Sequence, residues 1–583
     1  MPAKPSGEIK VSTVHVPQKN GDIYILERQS IYIPEKKYNK ILSSKLIGKI
    51  PKGAENPVPT RPKRSARSKV SSKPAKLSAT RVHIGMMDII DHAGKASGID
   101  DGIYAATDEG TAQKIISLAR YLLATNGQSL PGILTWQYNH TLPYTQGLSE
   151  NIYHSLFVQV GRDESLQQNF FLSRCRDLPE RSALAYDSTT ISTYSENQID
   201  ARYGYNKAGD GLKTIKMLTL YSIDTRQPIA FTKQPGNLPD VTSVTNALKQ
   251  LEALGLGGVE LVTDNGYYSE DNLSEMLCAG YSFITLIKTN IKWVRKEIDA
   301  HMDDMNSIKT VCPFDPSLHG VSVMSMHTFS KERKYADRKN GVAKGTVETF
   351  ERRVYINIYF SLSKQAEDRT AFEVDLYELK TLIESGVPLE ELPEASQRKA
   401  RKYLIIKKWG KKISVTSNTK ACEDAFRYHG YFVLIANKEK DPFECLSKYR
   451  KRETIESFFQ AEKQRADGAR PRVWNTDTLR GRMFVQFVAL CYYEYLIDKV
   501  RILKQELSNP ANNQHKSSVE RELESRLLSW LKNTPLYLQL QWFDTVDSVN
   551  VSSELKAKRW ATEITERDQL YLDRLGIKIG SGF

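Results

Sequence analysis

The spacing of apolar and polar residues changes several times along this chain, and each change predicts a different element. Residues 20–50, GDIYILERQSIYIPEKKYNKILSSKLIGKI, alternate apolar with charged positions and predict short strands around a basic turn. From about 85 to 175 the period becomes helical, as in TAQKIISLARYLLA at 111–124. Between 183 and 290, short apolar runs predict strands at LAYDSTTIS (184–192), KTIKMLTLYS (213–222), PIAFTKQ (228–234), VELVTD (259–264) and YSFITLIKT (281–289). Helical stretches interrupt them at 241–255 and 269–280. Three strands, helix, strand, helix, strand is an α/β order, with the first strands forming a meander. Residues 291–445 read as a large insertion with strands at 352–363 and 402–417, and GYFVLIANK at 430–438 as a strand returning to the main body. A helix is expected from near Ser447, and the remainder is mostly helical, including LESRLLSWLKN at 523–533. No internal repeat is visible.

The 583 residues suit three or four domains or subdomains. The pattern divides them into a small β-rich segment (1–50), a linker or arm (51–80), a helical domain (81–180), an α/β core in two parts (181–290 and 430–500) around a β-rich insertion (291–429), and a helical C-terminal region (501–583). The apolar fraction of 40% is ordinary for a globular protein, and no run of 18 apolar residues suggests a membrane span. The opening MPAKPSGEIKVSTVHV lacks the apolar core of a secretory signal. The six cysteines contain no C-x-x-C pair, so reduced thiols in a cytoplasmic compartment are expected, without a cysteine-built zinc site.

The net charge is +14, and its placement changes the picture. Residues 1–80 hold 17 Lys/Arg against 5 Asp/Glu, leaving the remaining body near neutral. Residues 51–80 are rich in Pro, Ser and basic residues, and the run RPKRSARSK supplies Arg61, Lys63, Arg64, Arg67 and Lys69. Such an arm suits a polyanion, because each neutralised phosphate releases counterions. A solubilising or disordered tail has the same composition, and charge alone does not separate the two.

Candidate chemistry lies in three places. Asp187 sits within LAYDSTT, followed by three small hydroxylated residues that leave its carboxylate open; an Asp capping a turn reads the same way. Asp264 closes VELVTD and is followed by Asn265 and Gly266. D-N-G is a strong turn signal by itself, but a carboxylate at a strand's C-terminal end also faces the crevice where ligands bind in α/β sheets. The third place is KYRKRETIESFFQAEKQ, with Tyr449, Arg452, Glu456 and Lys463. On one continuous helix, the last three fall at about −60°, −20° and −40° from Tyr449, a single stripe, with Ile455, Phe458 and Phe459 on the neighbouring arc. A carboxylate flanked by Arg, Lys and Tyr suits a cation held beside phosphates; a solvated charged face is the plain alternative. The ten His show no ligand spacing. Gly204, Gly209 and Gly211 in RYGYNKAGDG lack the G-K-[ST] of a phosphate loop and read as a loop between strands.

The spacing Y-x2-R-x3-E-x6-K resembles the signature of bacterial insertion-sequence transposases with a DDE triad. The resemblance extends to D-x-G-[FY] at Asp264–Tyr267 and to the Asp of YDSTT, and covers roughly 180–290 and 430–500. It implies an α/β fold: a ribonuclease H-like mixed five-stranded sheet with a β-rich insertion before the last catalytic helix, plus helical N- and C-terminal regions. Asp187 would lie on the first strand, Asp264 on the fourth, and Glu456 on a helix after the last. The resemblance implies that these three are catalytic and hold Mg²⁺ or Mn²⁺, with two ions the expected number. Tyr449, Arg452 and Lys463 would contact the transposon end. The implied partner is double-stranded DNA, both inverted-repeat ends and target, acted on by a homodimer in the bacterial cytoplasm and nucleoid. A nuclease of the same fold without strand transfer, and a DNA-binding protein without catalysis, are the competing readings.

Overall fold

Edge-to-edge pairing of short apolar runs explains most of the architecture. The computed structural model describes residues 9–33, 37–58, 79–206, 209–332, 343–409, 412–465, 473, 475–513, 516–551, 560–561 and 564–579. The chain divides into two units, residues 1–78 and 79–583. In the first, β1 (Ile9–Pro17), β2 (Ile23–Ile33) and β3 (Tyr38–Ile50) form an antiparallel sheet in that order, with Ile9 opposite Ile31 and Leu26 opposite Leu46. The basic run at 61–69 lies outside the described residues.

The second unit opens with β4 (Ala79–His83) and the helices α1 (Gly85–Ala96), α2 (Ile99–Ala106), α3 (Glu109–Ala124), α4 (Ile133–Trp136), α5 (Glu150–Arg162) and α6 (Glu164–Cys175). The Asp108 carboxylate caps α3 by accepting from the Thr111 amide at 3.0 Å. Three strands follow, β5 (Ala183–Thr193), β6 (Lys213–Ser222) and β7 (Gln227–Pro235), then α7 (Asp240–Ala253), β8 (Glu260–Thr263), α8 (Glu270–Cys278) and β9 (Ser282–Ile287). These match the strands and helices expected from the apolar pattern. β5, β6 and β7 form an antiparallel meander, while β5, β8 and β9 run parallel. The result is a mixed five-stranded core sheet in the order β7-β6-β5-β8-β9. Every residue of β5 is buried, as a central strand covered on both faces requires.

The next stretch contains α9 (Lys292–His301), β10 (Val311–Cys312), β11 (Asp315–Glu332), β12 (Val347–Ser361), α10 (Leu362–Glu384), α11 (Glu394–Tyr403), β13 (Leu404–Trp409), β14 (Lys412–Ser417) and α12 (Thr419–Phe426). β15 (Tyr431–Ala436) then returns and pairs antiparallel with β9 on one side and β12 on the other, extending the sheet to nine strands. The insertion thus carries helices as well as strands. α10 went unseen in the sequence because only Leu376, Leu379 and Ile383, all near its end, are buried, so its period is weak.

After α13 (Pro442–Lys451) and α14 (Glu453–Arg465) comes the 33-residue α15 (Thr476–Ser508), followed by α16 (Ser518–Asn533), α17 (Leu536–Phe543), β16 (Asp547–Val551), β17 (Trp560–Ala561) and α18 (Glu566–Leu575). Between Thr478 and Tyr492 every α15 residue except Arg480 is buried, as expected of a helix surrounded by other elements. It crosses α5 so closely that a Cβ at Gly481 would lie 2.0 Å from the Phe157 carbonyl oxygen, and one at Gly161 1.8 Å from that of Asp477. The short strands β16 and β17 were not expected in a helical tail; β16 pairs with β4 and β17.

Glu494 on α15 is buried beneath β6 and accepts a hydrogen bond from the Tyr221 hydroxyl at 2.8 Å. Burial pushes its carboxyl from 4.5 up to about 7, against the weaker pull of Tyr221 and Arg226. The unfolded chain releases this proton near pH 4.5 while the folded chain holds it to about 7, so stability falls across that window and is flat above it. Glu494→Gln keeps the acceptor and removes the charge. It is expected to match the parent's melting temperature near pH 4 and to exceed it above pH 7, for a gain of about 3 kcal/mol. Equal melting at pH 8 would count against a buried charge there.

Candidate active site

Two adjacent parallel strands set the frame. Leu184 of β5 pairs with Leu261 of β8, and Ala185 with Val262, so continuing the register brings Asp187 level with Asp264. Neighbouring strands lie about 4.8 Å apart. Asp187 is buried, and its Oδ1 accepts from the Ser188 amide at 2.7 Å and the Tyr267 hydroxyl at 3.2 Å. Asp264 is half-buried where β8 ends, and its side chain accepts from the Asn265 amide at 2.7 Å, capping a single 3-10 turn over Asn265–Tyr267. The turn expected from D-N-G is therefore present. A Cβ at Gly266 would meet Asp240 at an ordinary 3.5 Å, so close approach does not require glycine there.

The helix expected near Ser447 starts earlier, at Pro442, capped by the Asp441 carboxylate accepting from the Phe443 and Glu444 amides at 2.8 and 2.9 Å. It is also not continuous. The Arg452 amide bonds to the Tyr449 carbonyl at 3.0 Å and the Ile455 amide to that of Arg452 at 2.9 Å, so the chain tightens by three-residue bonds between α13 and α14. The expected single stripe through Tyr449, Arg452, Glu456 and Lys463 is thus broken at Arg452. The junction buries Arg452, whose guanidinium donates to Asp187 Oδ2 at 3.0 Å and to Glu456 Oε1 at 3.2 Å. The Tyr449 hydroxyl donates to Asp264 Oδ1 at 3.1 Å, and the Arg452 guanidinium lies 5.3 Å from its ring centre. Lys463 lies seven residues beyond Glu456, two turns along the same face of α14, and is half-buried. Ile455, Phe458 and Phe459 are buried and seat the helix on the core.

The structure therefore joins Asp187 and Glu456 through Arg452, and brings Asp264 beside them through Tyr449. Burial works against the Arg452 charge, but the negative charge of Asp187, Asp264 and Glu456 outweighs it and holds its pKa above the usual value. Burial likewise pushes the Tyr449 phenol up, so it stays a hydrogen-bond donor. Among the described residues, no three His, Cys, Asp or Glu side chains stand close enough to hold a metal ion. Arg452 stands among the acids instead and supplies the positive charge. The donor set nevertheless suits a hard divalent cation, which prefers carboxylate oxygens.

Four neighbours had no role in the sequence reading. Tyr267 is buried against Asp187, and only its place in D-x-G-[FY] hinted at it. Lys216, buried on β6, donates to Asp240 Oδ1 at 2.7 Å and to the Leu238 carbonyl at 2.6 Å; Ser188 donates to the same Asp240 oxygen at 2.9 Å. A lysine inside the apolar strand KTIKMLTLYS was the available signal.

A mixed sheet with two aspartates level on adjacent parallel strands, and a glutamate delivered by the helix after the last strand, defines a ribonuclease H-like core. The chain belongs to the transposase DDE domain family, whose model matches residues 178–492. That stretch spans the core sheet, the insertion and the Glu456 helix. Transposition, DNA as the class of partner and a general use of divalent metal ions come with the family. Among curated protein sequences, none matches the chain. A cryo-EM structure of a piggyBac transposase synaptic complex with hairpin DNA is similar over 80% of this chain and 86% of that chain, at 10% identity and a TM-score of 0.36. Among the described residues, no helix is long and apolar enough to cross a membrane.

Proposed function

We propose that this protein binds the ends of an insertion sequence, cuts the DNA there, and joins the freed 3′ ends to target DNA. The observation that carries the proposal is the Arg452 guanidinium held between Asp187 and Glu456, with Asp264 level with Asp187 on the next strand and bonded to Tyr449. These three carboxylates would hold Mg²⁺ or Mn²⁺, two ions by the family resemblance, which when bound stabilise the attacking and leaving oxygens of an in-line displacement at phosphorus. Tyr267 and the Ser188 amide fix one oxygen of Asp187, and Tyr449 fixes one of Asp264, so neither carboxylate must be ordered during the reaction. Arg452, once parted from Asp187 and Glu456, has the planar fork that grips a phosphate bidentately, while Lys463 acts as a point charge. Arg61, Lys63, Arg64, Arg67 and Lys69 would track the DNA backbone as a counterion-releasing arm.

In this reading residues 181–290 and 430–500 form the catalytic core and 291–429 its insertion, with two copies bridging the two ends in the bacterial cytoplasm. The test incubates the purified chain with the inverted repeats flanking its own gene, a supercoiled plasmid and Mg²⁺. Cut ends covalently joined to plasmid are the expected product. Cutting without joining would make it a nuclease, and end binding without cutting under any divalent cation a non-catalytic binder.

A further inference from the structure

The loop that leaves β5, described over residues 194–206 and 209–212, is anchored firmly yet turns aromatic rings to solvent. Gln198 is buried, and its amide donates to the carbonyls of Asn475 at 2.9 Å and Val473 at 3.3 Å. Arg202 and Thr214 exchange backbone bonds at 3.0 and 2.9 Å, and the Asp200 carboxylate pairs with Lys233. Asn206 donates to Ser192 at 3.3 Å and to Asp210 at 2.6 Å. Gly204 lies so tightly against the turn after β7 that a Cβ there would fall 2.8 Å from the Gly236 carbonyl oxygen. On either side of it, Tyr203 is 70% and Tyr205 79% exposed, and Ile199 nearby is 70% exposed. A backbone this constrained does not turn two rings outward by being loose. The Lys213 ammonium lies 5.6 Å from the Tyr203 ring centre, placing a cation beside the rings.

Position narrows what such rings would meet. Asp187 and Thr193 lie on the same strand, six residues apart, which is about 20 Å of extended chain or roughly six nucleotides of stacked DNA. The loop continues from that end of β5, the end at which Asp264 closes the neighbouring parallel strand. Aromatic rings beside cations bind single strands by stacking on base faces, which a closed duplex hides.

We propose that Tyr203 and Tyr205 form a base-stacking platform for unpaired DNA about six nucleotides from the cleaved phosphate, with Lys213 on the adjoining backbone. The inference rests on the reading of this chain as a DNA-cutting enzyme, and the test separates the two. Fluorescence anisotropy would follow the full chain binding a labelled oligo(dT) of about twelve nucleotides, and a blunt duplex of about thirty base pairs. The Tyr203→Ala/Tyr205→Ala variant is expected to bind oligo(dT) about tenfold or more weakly and the duplex within about twofold of the parent. Tyr203→Phe/Tyr205→Phe is expected to bind both as the parent does, because the ring and not the hydroxyl stacks.

Unchanged oligo(dT) binding by the alanine variant would overturn the proposal, as would an equal loss in the phenylalanine variant. A parent that binds duplex but not oligo(dT) overturns the platform alone; one that binds neither overturns the platform and the functional reading together. Loss of self-association by the alanine variant in sedimentation, with oligo(dT) binding intact, would mean the rings face a second copy of the chain.

Discussion

Changing Asp187, Asp264 or Glu456 to alanine is expected to slow end cleavage by on the order of a thousandfold while leaving end binding within about threefold of the parent. Stabilising charge on the attacking and leaving oxygens is worth several kcal/mol, and each acid would hold part of the charge that supplies it. DNA binding draws instead on cations, which these changes leave in place. Asp187→Ala also strips a buried partner from Arg452, whose Nε already lacks one, and so carries a stability cost of its own. Asp187→Asn keeps an acceptor for Tyr267 and the Ser188 amide, but the nitrogen that replaces Oδ2 cannot accept from Arg452, so each variant's melting temperature is measured beside its activity. Single-turnover cleavage with a parallel gel shift checks all four variants. Normal cutting by Asp187→Asn and Glu456→Ala would remove both residues from the chemistry.

Arg452→Gln is expected to bind Mn²⁺ at least about tenfold more tightly than the parent when no DNA is present, and to cut DNA more slowly. The first effect follows from electrostatics. A guanidinium 3.0 Å from Asp187 and 3.2 Å from Glu456 is a competing cation, and even a well-screened like charge at about 4 Å opposes an incoming ion by a few kcal/mol. The second follows because the same side chain is the proposed phosphate grip. Without its partner the buried Asp187 charge destabilises the fold, so the variant's melting temperature should also rise more steeply with added Mn²⁺ than the parent's. Calorimetric titration with MnCl₂ measures the first effect directly. If the variant binds Mn²⁺ no better than the parent, the arginine is not occupying the cation's place. An arginine in that role would link metal entry to DNA arrival, since a phosphate is what draws it away.

The core sheet was legible because its strands are short, apolar and bounded by clear breaks. KTIKMLTLYS coincides with β6, and LAYDSTTIS and VELVTD differ from β5 and β8 by one residue at each end. Elements stabilised from outside were harder to see. α10 keeps most of its surface in water, and β16 is defined by its distant partner β4 more than by its own pattern. β1 falls within the expected β-rich segment 1–50, though the alternation of IKVSTVHVP was not singled out as a strand. The early start of α13 was available in the Asp441–Pro442 pair, a cap followed by a first-turn proline. The site was legible in its three acids and the Y-R-E-K spacing. What spacing hides is the inward turn at Arg452, which depends on Asp187, 265 residues away, and the Lys216–Asp240–Ser188 contacts, which join residues from three separate elements.

Pairing of β4 with β16, Arg81 opposite Val549, ties the start of the second unit to a strand made more than 450 residues later. α5 likewise waits for Gly481 on α15 before its closest surface is covered. At roughly 5–20 residues per second, synthesis leaves the early helices without these partners for about 20 to 100 s. Nascent chains truncated before α15 should therefore engage chaperones that recognise apolar surface.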